Sequence, residues 1–177
     1  DTKPVERLKA TIEQFDEKLA GRLGTTAKGV RIVDLAVNPA SGLAYIAVLK
    51  DNKQPLIVTV DGAGKIAEFS LENVKYARIA LPTGEKKPVT RINDLAWAGD
   101  RVLVAGTAAE EFANKILSVP APLVHEAQGT IYSTETYHVS HRAWETRAPM
   151  NVLLPFEDGG KKYLVGSFSC TPVVKYP

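Results

Sequence analysis

The sequence predicts an all-β chain of repeated four-stranded antiparallel units, preceded by one amphipathic helix. Three observations predict it. Apolar residues recur at helical spacing over the first two dozen positions and then stop. Short strand-like runs separated by turn residues continue to the end. Those runs repeat at an interval near 60 residues.

Val5, Leu8, Ile12, Phe15, Leu19 and Leu23 are three or four residues apart and form one apolar stripe against Glu6, Lys9, Glu13 and Lys18. Pro4 suits a first helical turn, where its missing N–H has no partner to lose, and Gly21 and Gly24 are suitable stops. The stripe is expected to pack on the β domain that comes after it. Its nearly heptad spacing leaves a coiled-coil contact with a second chain as the alternative.

After Gly29, Arg31-Ile32-Val33-Asp34-Leu35-Ala36 returns as Arg91-Ile92-Asn93-Asp94-Leu95-Ala96, and Ile57-Val58-Thr59-Val60 returns as Ile116-Leu117-Ser118-Val119. A looser third copy runs through Arg147–Val152, Tyr163–Gly166 and Val173–Tyr176. Strands are expected at 30–37, 43–49, 56–60 and 65–70, then at 91–98, 101–106, 115–119 and 131–138, then at 150–156, 162–168 and 172–176. Gly- and Asp-rich turns divide them, among them Asp61-Gly62-Ala63-Gly64, Gly99-Asp100 and Asp158-Gly159-Gly160. Residues 1–27 are thus helix and linker, and 28–177 carry units over about 28–82, 88–140 and 147–177, the last without an outer strand.

The repeated Arg-x-x-Asp-Leu-Ala segment and this strand order resemble the β-propeller superfamily, in its quinoprotein-like and seven-bladed-repeat group. Tyr137–His141, Glu145–Arg147 and Ser169–Pro172 resemble segments of uncharacterised exported bacterial propellers. The Trp-Asp dipeptide of WD repeats is absent. The resemblance implies a partial propeller of about three blades, and closure of such a fold takes at least four. The expected partner is the remainder of a propeller or a second chain, because stacked repeats rely on neighbours to cover their end faces.

A net charge of +2 is too small to argue for nucleic acid or an anionic membrane surface. No run of apolar residues approaches the roughly 18 of a membrane span. The chain begins at Asp1 with neither initiator Met nor signal sequence, which fits a processed chain, periplasmic or extracellular, and equally a trimmed one. Cys170 is the one cysteine, so an intrachain disulfide is excluded and a cysteine-based zinc site is set aside. Its expected state is a small buried hydrophobe, against a reactive thiol or an interchain bridge.

Candidate ligand residues come from the propeller resemblance, which places inner strands around an axis. Arg31, Asp34, Arg91, Asp94, Arg147 and Asn151 are expected on them, as architectural hydrogen-bond partners or as an axial site for a small anionic ligand. His138 and His141 are the metal candidates, with Glu135 or Glu145 to complete a shell; structural and acid–base roles are the alternatives. His125 is expected in an exposed loop. Trp97 and Trp144 are expected to fill gaps between units. Gly-x-Ser-x-Gly, the P-loop and the haem-attachment motif are absent. A binding or assembly module is the first functional expectation. The alternative is the N-terminal half of a propeller enzyme, a metal-assisted hydrolase or lyase or a quinoprotein-like oxidoreductase.

Overall fold

The computed structural model describes residues 7–82, 88–170 and 173–177. Two compact units divide the chain, Asp1–Lys75 and Tyr76–Pro177. Among the described residues there are one α-helix and two short 3-10 segments, and the strands form four antiparallel sheets, none closed on itself.

In the first unit, helix α1 (Phe15–Leu23) precedes a meander of β1 (Val30–Val37), β2 (Ala44–Lys50), β3 (Gln54–Val60) and β4 (Ile66–Phe69). The helix is shorter than its apolar spacing predicts. Gln14 takes a left-handed backbone (φ 51°), so the stretch before it does not continue the helix. Pro4, Val5 and Glu6 lie outside the described residues. At the other end Gly24 (φ 67°) caps the helix, a conformation that glycine adopts without a Cβ clash. Gly21 is inside the helix.

The C-terminal part of the stripe packs on the sheet, as the spacing asks. Leu19 and Leu23 are buried against Ile46, Val48, Val58 and Val60, with Ile12 and Phe15 packed at the margin. These strand residues alternate, so the helix covers one face of the sheet. Asp34, Ala36, Tyr45 and Ala47 belong to the opposite face by register, where the Tyr45 and Phe69 rings meet edge-on at 5.5 Å.

The second unit holds a four-stranded meander of β5 (Val89–Trp97), β6 (Arg101–Ala108), β7 (Asn114–Pro120) and β8 (Thr130–Ser133). A hairpin of β9 (Thr136–His138) and β10 (Ala143–Glu145) comes next, turned by the 3-10 segment Val139–His141. Then comes a three-stranded sheet of β11 (Met150–Asp158), β12 (Lys161–Phe168) and β13 (Val174–Tyr176). The run expected as one strand over 131–138 is therefore split at Thr134-Glu135, and its second half pairs forward with β10. Pro172, the expected first residue of the last strand, lies outside the described residues with Thr171.

The first strand of every meander carries a register shift at the same place: between Ile32 and Asp34, between Ile92 and Asp94, and between Met150 and Val152. This bulge aligns the three copies and corrects the third. Val152 stands where Asp34 and Asp94 stand, and Asn151 is the bulged residue beside Asn93 and Val33. Arg147 precedes β11 and does not start it, because Met150 is the partner of Phe168 at the bulge.

The repeated aspartate is explained locally. Leu35 N–H donates to Asp34 Oδ1 and Leu95 N–H to Asp94 Oδ1, both at 2.8 Å. Asp94 goes further: its Oδ2 accepts from Leu153 N–H at 2.8 Å, linking β5 to β11. Around that bond Ala96, Leu103, Ala105 and Ile116 pack against Met150, Leu153, Leu164 and Phe168. The faces of the second and third meanders are thereby joined.

Candidate functional site

Strand alternation puts Thr136 and His138 on one face of the β9–β10 hairpin, opposite Glu145 and Ala143. Tyr137 and Trp144 pair across the other face, their rings edge-on at 5.6 Å. Both are half exposed, as is Trp97. The tip turns through Val139–His141 with Arg142 left-handed (φ 53°), which folds His141 back over the first face.

Three side chains converge there. His138 Nδ1 is 3.1 Å from His141 Nδ1 and 3.1 Å from Glu145 Oε1, and His141 Nδ1 is 2.5 Å from the same oxygen. Cys170 Sγ approaches the His141 ring at 3.9 Å from Nδ1 and 4.0 Å from Nε2. One ligand atom from each of the four residues lies within 4.8 Å of every other. The histidines bonded to Glu145 hold its carboxyl below its ordinary value, His141 foremost and His138 next, against a smaller opposing effect of desolvation.

Sequence spacing announces the two histidines and leaves the glutamate open between two positions. The His138–His141 pair is brought to a point, and of the two glutamates Glu145 joins it while Glu135 is exposed elsewhere. Cys170 is a correction. It is exposed, in the bend after β12, and belongs to a mixed N, O and S cluster. A mixed site needs only one sulfur, so a single cysteine does not exclude it.

The remaining candidates occupy different places. Arg31 and Asp34 are on β1. Arg91 lines a cleft with Leu81, Pro82 and Val89, whereas Arg147 lines another beside Glu110 and Glu111. Asn151 donates to Ser169 Oγ at 2.8 Å. His125 is exposed, yet its Nδ1 accepts from Arg78 N–H at 3.1 Å and so braces the approach to the second meander. A further cleft of about 440 Å³ lies where the β5–β6 turn meets β11 and β12, with Trp97, Arg101, Phe156 and Tyr163 in its wall.

No family model and no solved structure matches the chain. A stretch similar to it occurs in the myosin IC heavy chain of Dictyostelium discoideum, 26% identical over 102 residues, covering 52% of this chain and 8% of that protein. No helix among the described residues is long and apolar enough to cross a membrane.

Proposed function

We propose that the three meanders are successive blades of a partial β-propeller, and that the chain serves as a binding and assembly module completed by further blades or by a partner chain. The observation that carries this is the outer face of the third meander. Val152, Leu154 and Phe156 are 52%, 55% and 46% exposed, on the side of β11 opposite the buried Leu153. By the bulge register, Val152 and Leu154 correspond to Asp94 and Ala96, and those are the positions on which the third meander itself packs. The same positions are therefore covered in one copy and open in the next. A contiguous apolar strip of this kind marks an interaction surface.

The occupant that fits is another twisted antiparallel sheet, since that is what the equivalent positions already accept. Placement outside the cytoplasm goes with this reading, on the resemblance of Tyr137–His141 and Ser169–Pro172 to exported propellers. Sedimentation of the full 19.2 kDa chain tests it. Self-association at micromolar concentration, or tight capture of an added sheet-forming partner, is expected. A monodisperse monomer that binds no apolar dye would overturn the proposal.

A further inference from the structure

We propose that His138, His141, Glu145 and Cys170 form a four-ligand site for a divalent transition metal, zinc in the first place, which clasps the β9–β10 hairpin to the third meander.

The distances favour a shared ion. Zinc bonds to nitrogen and oxygen of about 2.0–2.1 Å put neighbouring tetrahedral donors roughly 3.3 Å apart, and a zinc–sulfur bond of about 2.3 Å puts sulfur roughly 3.5 Å from its neighbours. The two His138 separations are 3.1 Å, Cys170 Sγ is 3.9 Å from His141 Nδ1, and no two of the four donors are more than 4.8 Å apart. Only the His141–Glu145 contact, 2.5 Å, is well inside the tetrahedral edge. Adjustments of at most roughly 1.3 Å, largest at the sulfur, complete the shell.

The donor atoms converge. Both imidazoles turn Nδ1 toward one carboxylate oxygen, and the Cys170 sulfur approaches the His141 ring. A cation at the centre accepts all of these lone pairs at once. The donor set also selects the ion. Calcium and magnesium take oxygen ligands, whereas two imidazoles, a carboxylate and a thiolate suit zinc and its first-row neighbours.

The elements holding the ligands are fixed independently of any ion. Thr136, on the ligand face of β9, is 2.9 Å from Tyr176 OH on β13. Ser169 N–H donates to Pro149 O at 3.0 Å, which holds the backbone next to Cys170 against the entry to β11. The His138 and Glu145 side chains are 11% and 16% exposed and His141 is 50% exposed, leaving an entry path from solvent on the His141 side. All four donors are spent on the ion, so the site is a structural clasp.

The test uses the full chain stripped with chelator and titrated with Zn(II), and in parallel with Co(II). One equivalent should bind, the melting temperature should rise, and the Co(II) protein should show a tetrahedral spectrum with a thiolate charge-transfer band. A His138→Gln/His141→Gln double variant should lose about 100-fold or more in affinity, since even an outer-shell partner costs 10–100-fold at a metal site. Cys170→Ser, an exposed change that leaves the fold intact, should abolish the charge-transfer band and weaken binding. Wild-type affinity no better than the double variant's would overturn the site. An unchanged affinity and spectrum in Cys170→Ser would overturn the four-ligand assignment even if the double variant failed to fold.

Discussion

Asn114 is 2% exposed, and its side chain makes two bonds to one passing segment: Nδ2 donates to Ala148 O at 2.6 Å, and Oδ1 accepts from Met150 N–H at 3.0 Å. It holds the chain between the hairpin and β11 as a strand neighbour would. Lys115 beside it is also buried, with Glu110 Oε1, Phe112 O and Ser133 Oγ around its ammonium, so the β6–β7 connection is tied down at both residues. Asn114→Ala leaves one buried and one half-buried backbone group unpaired; at about 1–3 kcal/mol for the first and about 1 kcal/mol for the second, a loss of roughly 2–4 kcal/mol is expected in urea denaturation. Asn151→Ala, which removes one exposed bond to Ser169, should stay within about 0.5 kcal/mol. Equal effects from the two variants would refute the strand-neighbour role. Neither Asn114 nor Cys170 was legible in the sequence. Each acts on residues more than twenty positions away, and side-chain periodicity records only the face of its own element. The His138–Glu145 half of the cluster was within reach, because strand alternation from Thr136 and a short turn bring those positions to one side.

At the scale of elements, the helix and the hairpin are held in different ways, and each gives a distinct expectation. Leu19 is fully buried under the first meander, so Leu19→Ala should cost about 2–5 kcal/mol by far-ultraviolet dichroism in denaturant. Leu8 belongs to the same sequence stripe but is 48% exposed, and Leu8→Ala should change little, within about 0.5 kcal/mol. The stripe overstated the helix because apolar spacing is blind to backbone conformation at Gln14. Strand positions were far more legible: the 60-residue repeat supplied each meander's order, while the split before β9 carried neither glycine nor proline to announce it. The hairpin docks through Thr136 and Tyr176, and burial raises the Tyr176 phenol above its ordinary value, against a smaller lowering by the Thr136 bond. A folded value above the unfolded one, about 10, means that folding favours the neutral phenol. Its contribution is therefore complete below about pH 10 and is lost as the pH rises through the folded value, the unfolded chain ionising first. Stability measured from pH 8 to 11 should decline at the alkaline end, and Tyr176→Phe should flatten that decline. Parallel profiles for the two proteins would show that the phenol does not couple to folding.

At the scale of the whole molecule, the arrangement within the second unit determines how an exposed face should behave. The third meander buries Leu153 and Phe168 on one side and presents Val152, Leu154 and Phe156 on the other. That open side has one charged occupant along β13. The Lys175 ammonium lies 3.8 Å from the centre of the Tyr163 ring and 5.8 Å from that of Phe156, and 3.5 Å from Asp158 Oδ2. A lysine laid across aromatic rings tempers such a face at its margin, by cation–π attraction and by keeping a charge where another sheet would approach. It does not reach the middle of β11. Placing a second lysine there, Leu154→Lys, extends the same device over the centre of the strip. Because Leu154 is already half exposed, the change should leave thermal unfolding of the isolated chain close to wild type, within about 0.5 kcal/mol. Its effect should fall on association, with sedimentation shifting toward monomer and loss of capture of a sheet-forming partner. The buried side supplies the contrast. Leu153→Lys faces the second meander and should destabilise the fold by several kcal/mol, on the order of what an unpaired buried charge costs. If Leu154→Lys instead lowers stability as Leu153→Lys does, the two sides of β11 are equally covered. The open face, and the blade-on-blade assembly argued from it, would then have to be abandoned.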